Sequence, residues 1–177
     1  MDDSTDGAPT VRPYDSSDAD ALWALKGGFE TGLGDGTGGD EKAAKYEAKL
    51  TDEYRRRWLA WVGRCVDEQA ATVTVAETAG DGDGDDDHDL AGYVFVLPES
   101  LSFVWDAAVL NEVYVRPAYR GTGVADALMD AALDTARAQD LPLDRMVLDV
   151  DRENDRAKAF YDRYGFEHWG EMVARDL

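Results

Sequence analysis

The sequence predicts a mixed α/β domain built on one central sheet of about six to seven strands, flanked by about four helices. Three observations lead there. Strand-like runs and helical periodicities alternate at both ends of the chain, two β-rich runs face each other across an acidic segment in the middle, and the second half twice repeats strand then helix. At 177 residues the chain suits a single domain over 10–177, preceded by a polar, mobile tail at 1–9, and leaves no room for a second large one.

Taken in order, TVRPY (10–14) reads as a short strand ending near Pro13. Ser16 or Ser17 is placed to cap a helix through Ala21, Leu22 and Leu25, which Gly27-Gly28 stops. TGLGDGTGGD (31–40) is too rich in glycine for regular structure and reads as a loop. From Glu41 to about Glu68 the pattern is helical, with Tyr46, Leu50, Tyr54, Trp58 and Trp61 or Val62 at three- and four-residue intervals. Its charges alternate in sign, as on a solvated face. Runs 71–77 (ATVTVAE) and 90–97 (LAGYVFVL) predict a hairpin with a long acidic loop. Asp81, Asp83 and Asp85 mimic the start of a calcium loop. The match fails where Gly and Glu are needed, because those places hold Asp86 and Gly92, so no metal site is expected and His88 reads as exposed. Further on come a strand at 107–115, a helix at 122–139, a strand at 145–150, a helix at 155–164 and one or two final strands at 167–175. The 122–139 helix puts Val124, Ala125, Leu128, Met129, Ala132, Leu133 and Ala136 on one apolar stripe.

Composition narrows the function. Lys and Arg total 18 against 38 Asp and Glu, a net charge of −20, which is the wrong sign for long-range attraction to nucleic acid or anionic lipid. The 27 Asp and 5 Lys make an acidic, lysine-poor bias that resembles cytoplasmic proteins of salt-accumulating halophiles. Cys65 is the single cysteine, so no intramolecular disulfide forms and no multi-cysteine zinc site exists. The acidic N-terminus lacks the basic start of a signal peptide, and no apolar run approaches the roughly 20 residues of a membrane span, so a cytoplasmic location is expected.

The informative stretch is LNEVYV (110–115), then RPAYRGTGVA (116–125), then the amphipathic helix. Gly121 and Gly123 allow a sharp turn and close approach to a ligand, and the helix start offers unpaired N–H groups with partial positive charge. Together they suit a pyrophosphate, with Arg116 or Arg120 in reach for a charge-assisted contact. A dinucleotide fingerprint wants Gly where Asp126 stands, and the Gly-Lys-Ser/Thr of a P-loop is absent.

At this point the sequence resembles the GNAT superfamily of acyl-CoA N-acyltransferases. Arg120, Gly121, Thr122, Gly123, Val124 and Ala125 match its pyrophosphate loop, and Asn154, Ala157, Phe160, Tyr161, Gly165 and Phe166 match a second block in the right order. The likeness follows element order over 10–177, but in residues it covers only the second half. It implies that acetyl-CoA is co-substrate, that the 110–115 strand splays from the 145–150 strand, and that pantetheine enters the gap on main-chain bonds from Val113, Tyr114 and Val115. It makes Tyr161 the acid that protonates the leaving thiolate. Glu112 is the base candidate, since a mid-strand carboxylate on a face with Leu110 and Tyr114 is costly to bury without a purpose, and Asn111 takes that place if a bulge shifts the strand by one residue. His168 and Cys65 are weaker candidates for base and nucleophile. Asn154 either caps the second helix or contacts the cofactor. The implied reaction is direct acetyl transfer to a primary amine in a ternary complex; the alternative is a GNAT-like acyl-CoA sensor without turnover. Dimers are common among such relatives, so a homodimer is also in view.

One expectation follows from charge alone. A chain of net charge −20 gains stability when molar salt cuts the Debye length to about 3 Å. The melting temperature should therefore rise between dilute buffer and molar KCl in thermal melts, and a flat or falling value removes the basis of the halophile reading.

Overall fold

A computed structural model describes residues 9–35, 39–77 and 90–177. Five strands form one sheet in sequence order: β1 (Thr10–Pro13), β2 (Val73–Glu77), β3 (Leu90–Val96), β4 (Ala108–Val115) and β5 (Met146–Leu148). The first four run antiparallel to their neighbours, and β4 pairs parallel with β5. The α-helices among the described residues are α1 (Ala19–Asp35), α2 (Gly39–Ala48), α3 (Asp52–Glu68), α4 (Val124–Arg137) and α5 (Asp155–Arg163).

The sheet is covered on both faces, which is why every residue of β3 is buried. On one face Leu22 and Leu25 of α1 and Trp58, Val62 and Cys65 of α3 close over Val73, Val75, Tyr93 and Phe95. On the other, Val124, Leu128, Met129 and Ala132 of α4 cover Ala76, Ala91, Val94, Val96, Leu110 and Val115, as the apolar stripe predicts. Phe160 and Tyr161 of α5 and Tyr164 just after it join this second core at its margin.

Several expectations are corrected. The first helix neither begins on a serine cap nor stops at Gly27-Gly28. Asp15 caps the short 3-10 turn that leads into α1, in a reciprocal box with Asp18, and α1 continues through both glycines to Asp35. Tertiary contacts override the glycine penalty: Tyr114 lays its phenol against Gly28, where a Cβ has no room, and Lys26 and Glu30 pair one turn apart within the helix. Part of the predicted loop at 31–40 is therefore helical, in α1 and α2. The helix expected over 41–68 is two helices, broken at 49–51, because Thr51 turns extended and its side chain accepts the Tyr54 N–H to start α3. Residues 70–72 form a 3-10 turn before β2. The final strands at 167–175 do not form, so the described sheet has five strands rather than six or seven. Exposed side chains touch the domain there instead of a ladder: Trp169 lies under the Arg145 guanidinium at 4.2 Å, and Glu171 accepts from Arg152 at 2.6 Å. The acidic loop with Asp81, Asp83, Asp85, Asp86 and His88 lies outside the described residues, as do residues 1–8 of the expected tail.

The adjacent glycines of α1 are predicted to respond oppositely. A Cβ at Gly27 meets nothing within 4 Å, so Gly27→Ala should stabilise by about 0.5–1 kcal/mol through helix propensity. At Gly28 the same methyl collides with the Tyr114 ring, and overpacking of about 1–3 kcal/mol should exceed that gain. Urea unfolding of the two variants should bracket the parent; equal shifts would show that Tyr114 does not constrain α1.

Candidate functional site

The two edges of strand β4 are paired over different stretches. The strand faces β3 from Leu110 to Val115, but β5 only at Ala108, Val109 and Leu110. Beyond Leu110 the ladder to β5 ends, at the last residue of β5, and the edge of β4 over 111–115, including Val113, Tyr114 and Val115, has no ladder partner toward β5 among the described residues. Unpaired strand amides and carbonyls seek an extended polar partner.

A bulge sits where that ladder ends. Phe95 opposes Glu112 and Val96 opposes Leu110, so Asn111 is the extra residue, and it is exposed. The bulge also flips the side-chain alternation. Leu110 packs with the α4 core and Tyr114 with the α1 core, so the expected common face of Leu110, Glu112 and Tyr114 does not exist.

After β4 the chain makes a 3-10 turn at Pro117–Tyr119 and enters α4 through Gly121 (φ +78) and Gly123 (φ +87). Both φ values lie in the left-handed region that favours glycine. Arg120 Nε donates to the Val115 carbonyl at 3.1 Å and its guanidinium lies 6.0 Å from the Tyr114 ring, while Thr122 Oγ1 donates to the Tyr119 carbonyl at 2.6 Å. Gly123 is the N-cap and supplies no side chain, so the first-turn amides of Val124, Ala125 and Asp126 are left to another acceptor. Asp126, the one acid in that turn, accepts from Arg163 at 2.9 Å and from the Tyr164 hydroxyl at 2.7 Å, which turns its charge toward α5. A Cβ at Gly121 meets nothing within 4 Å, and one at Gly123 meets only Pro9 Cγ, at 3.9 Å. Open space beside uncapped amides at a helix start fits a pyrophosphate.

Sequence reasoning missed the charged cluster behind β4. Lys26 of α1, 2 % exposed, sits 2.5 Å from both Glu30 Oε1 and Glu112 Oε1, and Tyr93 donates to Glu112 Oε2 at 2.6 Å. Burial pulls the Lys26 pKa down, but the two carboxylates outweigh it and leave it raised. Burial and then the Glu112 charge push the Tyr93 phenol well up. The available signal was spacing: Lys26 and Glu30 follow Leu22 at successive four-residue steps, on the face that must be buried. Glu112 is only 6 % exposed and each of its oxygens already holds a donor.

Tyr161 lies in an aromatic group with Phe160 and Phe166, at ring distances of 5.6 and 5.7 Å. Its hydroxyl has no hydrogen-bond partner among the described residues, and burial pushes its pKa up to about 12. It packs with the α4 core whereas Glu112 projects into the α1 cluster, and no hydrogen bond joins them. Asn154 Oδ1 accepts the Ala157 N–H at 3.0 Å, an N-cap of α5. His168 is exposed in the irregular tail, and Cys65 is buried with its thiol pKa raised, first by burial, so neither has the setting of a base or a nucleophile. An open cleft of about 470 Å³, lined by Ala24, Leu25, Tyr114, Arg116, Pro117 and Ala118, runs between α1 and the end of β4. Among the described residues no group of side chains suits a metal ion, and no helix is long and apolar enough to cross a membrane.

Comparison with known proteins agrees with this geometry. The chain is 43% identical over 66 residues to an uncharacterized N-acetyltransferase of Mycobacterium tuberculosis, covering 37% of this chain and 41% of that one. It is 36% identical over 102 residues to a mycothiol acetyltransferase of Salinispora tropica, covering 50% and 33%. The chain thus spans less than half the length of the curated relatives it matches. Among solved structures it is similar to PaiA N-acetyltransferase from Thermoplasma acidophilum in complex with coenzyme A, with a TM-score of 0.67 and 17% identity over 91% of each chain. It is also similar to an aminoglycoside N-acetyltransferase in complex with CoA, with a TM-score of 0.56 and 18% identity over 96% and 95% of the two chains. At such identities these two show the shared fold. Residues 40–166 match the acetyltransferase (GNAT) family, a stretch that holds β4, β5, the glycine loop and α5, and the chain belongs to that family.

Proposed function

We propose that the protein is an N-acetyltransferase that moves an acetyl group from acetyl-CoA to a primary amine by direct attack in a ternary complex. The observation that carries this reading is the open edge of β4 leading straight into the uncapped start of α4, a polar track with a strand at one end and an anion site at the other. In this reading Val113, Tyr114 and Val115 bind the pantetheine amides through their main chain, and the amides of Val124 and Ala125, with Gly121, Thr122 and Gly123 shaping the turn, hold the pyrophosphate. Arg120 adds positive charge beside it. Asn154 serves by capping α5 and so fixing the helix that bears Tyr161.

Acetyl-CoA supplies an activated thioester when bound. Tyr161 gives its proton to the departing sulfur as the acyl carbon passes to the amine nitrogen, then recovers one from solvent. A phenol raised to about 12 stays protonated across the neutral range, which suits an acid and excludes a resting base. Glu112, expected as the base, is nearly inaccessible and held by Lys26 and Tyr93. We therefore assign it a positioning role, fixing β4 at its bulge, and let the amine shed its proton to solvent.

Gly123→Ala should cost about 1–2 kcal/mol of stability from the left-handed backbone. It should also weaken CoA binding by about tenfold or more, because the methyl enters the ligand's space rather than the protein's. Calorimetric affinity equal to the parent's would move the pyrophosphate elsewhere.

Tyr161→Phe keeps the ring but removes the proton, so turnover should fall by about a hundredfold while CoA affinity holds. Because the phenol titrates only near 12, the parent's rate should show no basic limb from this group between pH 7 and 10. Thiol release with saturating amine measures both. Parent-like turnover in the variant would remove Tyr161 from the reaction, and CoA binding without turnover on any amine would favour an acyl-CoA sensor.

A further inference from the structure

On the α1 side of the sheet the charged cluster continues, through Glu30, to a second and partly exposed ammonium. Lys49, in the link between α2 and α3, places Nζ 2.8 Å from Glu30 Oε2, 4.7 Å from the Tyr46 ring centre and 5.4 Å from that of Tyr54. The Glu30 side chain is 2% exposed and that of Lys49 36%, so the receptor is built in while its occupant reaches solvent. Lys49 is held there by its ion pair with Glu30 and by the two ring faces. With Lys49 withdrawn, Glu30 and Glu112 share the single charge of Lys26, a deficit that one incoming cation cancels.

We propose that this recess of Glu30, Tyr46 and Tyr54 seats a second, non-reacting ammonium of the acceptor, and that Lys49 is a built-in occupant which the acceptor displaces; the proposal rests on the amine-acetylating reading above. An amine beside a buried carboxylate keeps its proton, and a protonated amine has no lone pair with which to attack. The recess therefore anchors rather than activates. Its Glu30 lies four residues, about 6 Å, along α1 from Lys26, whose Nζ touches Glu112 at the β4 bulge. An acceptor that spans from the recess to the open edge of β4 carries two amino groups on a short alkyl chain, and the strongly acidic chain favours its approach.

The test is calorimetric binding of 1,5-diaminopentane and 1-aminopentane to the CoA-loaded full-length chain, with thiol release measured in parallel. The parent should prefer the diamine by about tenfold. Lys49→Ala should tighten the diamine several-fold more than the monoamine, whereas Tyr46→Leu and Glu30→Gln should each erode the preference. Tyr46 is only half-buried, so its variant keeps the test valid if Glu30→Gln fails to fold. Equal affinity for both amines in the parent, or diamine affinity unmoved by Lys49→Ala, overturns the proposal. Diamine preference without acetyl transfer supports the recess and overturns the transferase reading alone, while transfer without preference overturns the recess alone.

Discussion

The buried contact between Lys26 and Glu112 ties the first half of the chain to the second. It joins α1 to β4 across 86 positions, at the bulge where the ladder to β5 ends. Two ions in so dry a place lose several kcal/mol each in hydration, and the loss is tolerable only because every partner is supplied. Glu30 shares the ammonium, and Tyr93 satisfies the far oxygen of Glu112. Removing one member leaves an unpaired charge, which is why such a cluster fixes one arrangement of helix and strand.

The shape of the site follows from that fixation. With Glu112 turned toward α1, the bulge at Asn111 lets Leu110, Val113 and Val115 face the α4 core, while the ladder to β5 ends at Leu110. Tyr114 then lies on α1 above Gly28, which explains a glycine inside a helix, and one wall of the cleft is made. Charge burial, the bulge and the glycine are one solution to a single packing problem.

The two sides of the sheet divide the labour. The α4 side is apolar and carries the glycine turn, the uncapped helix start and the aromatic group around Tyr161, which suit an anionic, thioester-bearing ligand. The α1 side concentrates Lys26, Glu30, Glu112 and Lys49 among aromatic faces, which suits cations.

The sequence alone determined the features whose causes are local. Gly121 and Gly123 before an amphipathic helix announce a left-handed turn into an uncapped helix start, because the required φ and the unpaired amides lie within a few residues. The α4 stripe and the order of strands in the second half are legible for the same reason. Only the tertiary structure decided what depends on distant partners. Glycines that should end a helix do not, because Tyr114 covers one of them and Lys26 pairs with Glu30 beside it. Tail residues patterned like strands stay irregular beside a β5 only three residues long, so they find no strand to pair with among the described residues. The surroundings of Glu112 were hidden for this reason: a carboxylate in a strand looks unpaired until the lysine that neutralises it arrives from another helix.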